Sequence, residues 1–224
     1  MNKLPLIKPF IKTNIFDACF ISSITDDSRD VKRNSLFIAR QGEDSHGLEF
    51  AKQAIENGAS CIITDQNLSE ELDIPVYFFE RLEEKITEIL FRFHELNEDN
   101  FIFYGVTGTN GKTTTAFMAH NIIRDLQRPS IYIGTLGAII NDSFLKTKGN
   151  TTPGIFEIFE ILKVCNSKEE TYIFIEISSH ALMQKRLCNL CFNQTILLNI
   201  QSDHLDYHKT YENYIDSKLS ITKL

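Results

Sequence analysis

A chain of 224 residues with 42% hydrophobic content is long enough to bury a sizeable core, in one domain or two. Its net charge of −7 argues against a nucleic-acid or membrane-surface binder, because those partners reward a basic face, but a small anion can still be held by a local cluster of N–H groups and a lysine. Five cysteines without a dense framework suit reduced thiols, and Lys8, Lys12 and Asp17 break any secretory core; with no run near the ~18 apolar residues of a membrane span, the expected location is the cytoplasm.

Residues 1–98 contain short strand-like runs (SLFIAR, SCIITD, VYFFE) and two helical patterns, GLEFAKQAIENGA and RLEEKITEILFRFHEL. The polar stretch NEDN, Asn97 to Asn100, predicts a domain boundary, giving domains at 1–98 and 99–224. From residue 101 strand and helix patterns alternate: FIFYGVTG, KTTTAFMAHNIIRDL, SIYIGTLGAI, IFEIFEILKVC, TYIFIEIS, ALMQKRL, TILLNI and YENYIDSKLSI. Continuous apolar strands between helices predict a mostly parallel sheet covered on both faces, so the fold class is α/β, with a small α/β domain preceding a mostly parallel-sheet one. In such sheets ligands sit beyond the carboxyl ends of the strands. Those ends are Thr107–Thr113, Glu176–His180 and Asn199–His204, and all three carry polar groups.

The first of these ends, GTNGKTT, joins a strand to a helix N-terminus, where unpaired N–H groups and the helix dipole favour an anion. A phosphate loop needs glycines for close backbone approach, a lysine for the terminal phosphates and a hydroxyl for Mg²⁺; Gly108, Gly111, Lys112 and Thr113 supply these. The usual G-x-x-x-x-G-K-[ST] spacing would put a glycine at 106, where this chain has Val106, with Gly105 and Gly108 instead. Glu176 ends an apolar strand, a costly place for a carboxylate unless it faces a cation, and hard cations take oxygen ligands.

Three other features are less specific. His204, Asp206 and His208 in NIQSDHLDYH are possible zinc ligands, but a single His204 with Asp203 beside a nucleotide's metal suits a turn after a strand better. Cys188 and Cys191 form a CxxC that lacks a second pair. Lys218 falls on the apolar stripe Tyr211, Tyr214, Ile215, Lys218, Leu219, where a lysine either snorkels or is buried with a lowered pKa and reacts with carbon dioxide to give a carbamate.

Together GTNGKTTT, EISSHALMQKR and NIQSDHLDYH followed by YIDSKLSI resemble the Mur ligases, and DDSRDVKRNSLFIARQGEDSHG resembles the uridine-nucleotide domain of that family. The displaced glycine spacing is the one this family uses. The resemblance implies an ATP-dependent ligase of peptidoglycan precursor synthesis, with Mg²⁺ as cofactor and a Mur-type P-loop domain that is truncated here, so that the chain is expected to be an inactive part of a longer enzyme. The partners it implies are UDP-N-acetylmuramoyl-L-alanyl-D-glutamate and an incoming amino acid, diaminopimelate or lysine, with the protein a monomer.

By position, the resemblance gives Ser28, Glu43, Asp44 and Ser45 to the UDP end, and Thr151, Thr152, Ser178, Gln184 and Arg186 to the muramoyl-dipeptide. It gives Gly108, Thr109, Asn110, Gly111, Lys112, Thr113, Thr114, Asn199 and Asp203 to ATP, Thr113, Glu176 and His204 to the metal, and makes Lys218 a carbamyl-lysine. Lys112, Glu176, His204 and Lys218 are the implied catalytic set. The alternatives are a folylpolyglutamate-synthase-like ligase, which should lack SSHALMQKR and the uridine domain, and a non-catalytic nucleotide- or UDP-sugar-binding module.

Overall fold

A computed structural model describes residues 21–42, 45–68, 71–165 and 169–224. The chain divides into two compact units, 1–95 and 96–224. Asn97 accepts from the Asp99 N–H and opens a short 3₁₀ turn, Glu98–Asn100, at the start of the second.

The first unit is a four-stranded parallel sheet in the order β1 (Ser23–Thr25), β2 (Ser35–Ala39), β3 (Ala59–Thr64), β4 (Val76–Phe78). Every residue of β2 is buried, as expected of a central parallel strand covered on both faces. A 3₁₀ turn, Gly47–Phe50, capped by His46 and Glu49, leads into α1 (Ala51–Glu56). Leu82, Ile86, Ile89, Leu90 and Phe93 recur at helical spacing and are the buried stripe of α2 (Leu82–Phe93). β1 leaves no pattern in the sequence because Ser23 and Thr25 flank its one apolar residue, Ile24.

The second unit is a six-stranded sheet in the order β10-β5-β9-β6-β7-β8. Its strands are β5 (Phe101–Thr107), β6 (Ser130–Gly134), β7 (Gly137–Ile140), β8 (Ser143–Leu145), β9 (Thr171–Glu176) and β10 (Gln194–Leu197). The pairs among β10, β5, β9 and β6 are parallel, and β6-β7 and β7-β8 are antiparallel. The helices are α3 (Lys112–Asp125), α4 (Ile155–Cys165), α5 (Ser179–Met183), α6 (Leu205–His208) and α7 (Tyr211–Leu219).

Three expectations are corrected. SIYIGTLGAI is not one strand: the chain reverses at Thr135–Leu136 between the paired Gly134 and Gly137, and Gly137, at φ +100°, supplies the conformation the reversal needs. ALMQKRL is helical only to Met183, after which Lys185, Cys188 and Asn189 take positive φ. The sheet is not covered along β10, whose residues are exposed or half-buried. Among the described residues no helix is long and apolar enough to cross a membrane.

Candidate active site

The carboxyl ends of β5, β9 and β10 meet at the loop 108–111. β5 ends in buried Thr107, whose hydroxyl donates to the Ile177 carbonyl at 2.6 Å and ties the strand to the end of β9. Gly111 then adopts φ +87°, a conformation costly for any residue with a Cβ, and α3 begins at the next residue. The segment after β10 laces the loop into shape. Asn199 accepts the Asn110 N–H at 3.0 Å and donates to the Asn110 carbonyl at 3.0 Å, while its own carbonyl takes the Thr109 N–H at 3.0 Å. Gln201 donates its N–H to the Thr109 hydroxyl at 2.9 Å, and Tyr214 meets the same hydroxyl at 2.9 Å. Thus Asn199, Thr109 and Asn110 lie together, with the Asn199 amide engaged by the loop backbone.

Two lysines converge on one oxygen of this loop. Lys112 Nζ donates to the Gly108 carbonyl at 2.8 Å and to the Thr109 carbonyl at 3.1 Å; Lys218 Nζ, from α7, donates to the same Gly108 carbonyl at 2.9 Å. Lys218 is 2% exposed, so the snorkelling reading is wrong: burial wins because the ammonium finds the carbonyl and the Tyr214 ring, 4.8 Å away. Burial and then the Lys112 charge push the Lys218 pKa down to about 8. Burial lowers that of Lys112 too, partly offset by Glu176 and Asp203. Two ammonium groups sharing one acceptor at a helix N-terminus make a local positive centre in a chain of negative net charge.

Facing them is Glu176, fully buried at the end of β9. It takes the Thr113 hydroxyl at 2.8 Å, the Thr135 N–H at 3.0 Å, the Thr135 hydroxyl at 3.2 Å and the Tyr132 hydroxyl. These bonds replace the water that burial removed. Its neighbours account for Gly134, where an added Cβ would lie 2.1 Å from Glu176 Oε1.

The residues assigned to the dipeptide form a second chain of contacts. Buried Thr152 donates to the Glu176 carbonyl at 2.8 Å and accepts the Ser178 N–H at 2.9 Å, and Ser178 caps α5 through the Ala181 N–H at 3.2 Å. Arg186 donates to the Thr152 carbonyl at 3.1 Å and to Gln184 Oε1 at 2.7 Å, and Gln184 reaches the Tyr207 hydroxyl at 3.1 Å. Thr151 meets the Thr135 hydroxyl at 3.2 Å. Thr114 is exposed on the first turn of α3.

His204 and Asp203 are exposed, 3.5 Å apart, and His204 packs its ring against His180. His208 is instead buried on the Ser179 hydroxyl at 2.9 Å, so the possible zinc set does not converge. Among the described residues no three His, Cys, Asp or Glu side chains could hold a metal ion. Cys188 is buried, its thiol donating to the Lys185 carbonyl at 3.6 Å, and Cys191 is exposed.

In the first unit Ser28 is buried and donates to Gln53 Oε1 at 2.7 Å. Asp26, Asp27, Arg29 and Phe50 join these two residues around a cavity of about 520 Å³. Ser45 lies in a loop where its carbonyl accepts the Gly42 N–H at 2.9 Å; Glu43 and Asp44 lie outside the described residues.

Reading by motif missed Tyr132, Thr135, Gln201 and Tyr214. Thr135 was within reach, since it follows a strand as the polar ends do, but the apolar run around it hid the strand's end. Tyr132 and Tyr214 counted as core, and only their contacts set them apart.

Residues 106–224 match the Mur ligase middle domain, and residues 20–89 match the Mur ligase family, catalytic domain. The chain is 35% identical over 209 residues to a UDP-N-acetylmuramoyl-L-alanyl-D-glutamate--2,6-diaminopimelate ligase of Clostridium tetani, covering 91% of this chain and 42% of that protein. It is 33% identical to the protein of the same name in Listeria monocytogenes, over 97% of this chain and 44% of the other. A solved structure of a ligase of that name matches with a TM-score of 0.74 at 25% identity, over 96% of this chain and 44% of that one. A MurF ligase from Thermotoga maritima, solved with ADP, shares the fold at a TM-score of 0.55 and 24% identity, over 89% of this chain and 42% of that one. The chain therefore spans less than half the length of these relatives.

Proposed function

The chain belongs to the Mur ligase family, and we propose that it carries the UDP-substrate and ATP-binding parts of the enzyme that adds the third amino acid to UDP-N-acetylmuramoyl-L-alanyl-D-glutamate. The observation that carries this is the convergence of Lys112 and Lys218 on the Gly108 carbonyl, beside a buried Glu176, at the N-terminus of α3. An anion bound there meets two ammonium groups and the first free N–H groups of a helix.

In this reading Gly108 to Thr114, with Asn199 and Asp203, hold ATP, and Lys112 neutralises its terminal phosphates. The site suits Mg²⁺: the Glu176 carboxylate and the Thr113 hydroxyl, 2.8 Å apart, are hard oxygen donors, and Mg²⁺ on a nucleotide needs only one or two such protein ligands. When bound it would withdraw charge from the phosphates, and His204 is the further metal ligand in this reading. Thr151, Thr152, Ser178, Gln184 and Arg186 orient the dipeptide, and Ser28, Glu43, Asp44 and Ser45 hold the uridylate. The D-glutamyl carboxylate attacks the γ-phosphorus, ADP leaves, and the amine of the incoming amino acid displaces phosphate from the acyl phosphate. Catalysis is then mostly positioning and charge neutralisation, because phosphoryl transfer asks for little else. A carbamate on Lys218 keeps one N–H for the Gly108 carbonyl and turns a repelled cation into a partner for Lys112.

Names of the relatives favour diaminopimelate as the amino acid. Thermal shifts with UDP-muramoyl-dipeptide, a folate and ATP·Mg²⁺, each alone, test the reading. The dipeptide and ATP should each stabilise and the folate should not. A folate shift would favour a folylpolyglutamate ligase, and ATP stabilisation without a dipeptide effect would favour a nucleotide-binding module.

A further inference from the structure

The two oxygens of Glu176 are not equivalent. Oε1 accepts from the Tyr132 hydroxyl and the Thr135 N–H at 3.0 Å; Oε2 accepts from the hydroxyls of Thr113 at 2.8 Å and Thr135 at 3.2 Å. Four donors fill the roughly four acceptor sites of a carboxylate, so any cation must displace one of them. The Oε1 pair is fixed. One donor is a backbone N–H, and the other belongs to a fully buried phenol whose oxygen also accepts the Leu136 N–H at 3.3 Å. The Oε2 pair consists of two rotatable hydroxyls, on half-buried Thr113 and exposed Thr135. Bare backbone at Gly134 lets this arrangement close, since a Cβ there would lie 2.5 Å from the Tyr132 oxygen.

We infer that Tyr132 is a positioning residue: with the Thr135 N–H it pins Oε1, so that Oε2 is the oxygen Glu176 presents to a cation on the phosphate loop. The inference rests on the reading of that loop as a metal–nucleotide site. It gives the two neighbouring hydroxyls opposite effects. Tyr132→Phe frees the carboxylate to rotate and should weaken cation binding. Thr135→Val keeps the N–H on Oε1 but removes a hydroxyl that the cation must displace, and should leave binding equal or tighter.

The test is calorimetric titration of ADP into the chain with and without Mn²⁺, taking the factor by which Mn²⁺ tightens ADP. Tyr132→Phe should reduce that factor about tenfold, the usual weight of one hydrogen bond to a charged group, while Mn²⁺-free ADP binding stays within about twofold. Thr135→Val should keep or raise the factor. An unchanged factor in Tyr132→Phe, with only a lower melting temperature, would mean that the phenol merely stabilises the fold and would overturn the inference. So would a loss in Thr135→Val as large as in Tyr132→Phe. If Tyr132→Phe does not fold, the Thr135→Val result decides by its sign. Absence of any Mn²⁺ effect in the unaltered chain would bring down the metal–nucleotide reading itself, a failure distinct from the other two.

Discussion

Replacing Lys218 with methionine should stabilise the second unit at neutral pH. Burial and the neighbouring Lys112 charge bring the Lys218 pKa from 10.5 to about 8. The unfolded chain thus binds more protons than the folded one between these values, and stability rises with pH across that window. At pH 7 the penalty for holding the charged form is about 3 kcal/mol, and on the order of 1 kcal/mol of it is recovered by pH 9. Methionine carries no charge, and the Gly108 carbonyl keeps its bond to Lys112 at 2.8 Å, so no acceptor is orphaned. The assay is urea unfolding followed by tyrosine fluorescence, a good probe here because the chain has no tryptophan and all its tyrosines except Tyr77 lie in the second unit. The stability difference between variant and parent should favour the variant at pH 7 and shrink by roughly 1 kcal/mol at pH 9. A difference that does not change with pH, or a variant less stable at pH 7, would refute the reasoning.

Bicarbonate should raise the melting temperature of the parent chain and leave Lys218→Met unmoved, because at a pKa of about 8 roughly a quarter of the amine is neutral and reactive at pH 7.5, against about one in a thousand for an ordinary lysine; equal shifts would count against a carbamate. Gly134→Ala, which sets a Cβ 2.1 Å from Glu176 Oε1, should destabilise the second unit by about 1–3 kcal/mol as overpacking does, and an unchanged urea midpoint would contradict it. Buried His120, held on the Ser130 hydroxyl at 2.9 Å, has its pKa lowered chiefly by burial, so its contribution is complete above the unfolded value near 6.5 and is lost as pH falls through the lower folded one. His120→Gln should therefore flatten the acid limb of the stability curve, and an unaltered limb would contradict this.

The α/β class and the ends of β5 and β9 were legible because buried parallel strands read as apolar runs, and a polar residue at their carboxyl ends breaks the run visibly. Glu176 and the loop 108–113 were found in this way. The turn at Thr135–Leu136 was not, since its two residues sit between glycines inside ten residues that otherwise suit one strand, and with it went Thr135. Lys218 was ambiguous for a different reason. Its stripe predicts burial, but whether an ammonium tolerates burial depends on an acceptor more than a hundred residues away in sequence, the Gly108 carbonyl. Tyr132 and Tyr214 could not be separated from core tyrosines by pattern, because an aromatic ring satisfies the hydrophobic rule whatever its hydroxyl does.

The central claim is that the loop around Lys112 binds ATP while the UDP substrate is recognised independently of it. Calorimetric titration of ATP·Mg²⁺ and of UDP-N-acetylmuramoyl-L-alanyl-D-glutamate, each into the parent chain and into Lys112→Ala, tests this most directly. The parent should bind both, and Lys112→Ala, folded by circular dichroism, should lose at least about tenfold in ATP affinity as a charge-assisted phosphate contact disappears, with dipeptide binding unchanged. Equal ATP affinity in the two proteins, or no saturable dipeptide binding to either, would contradict it.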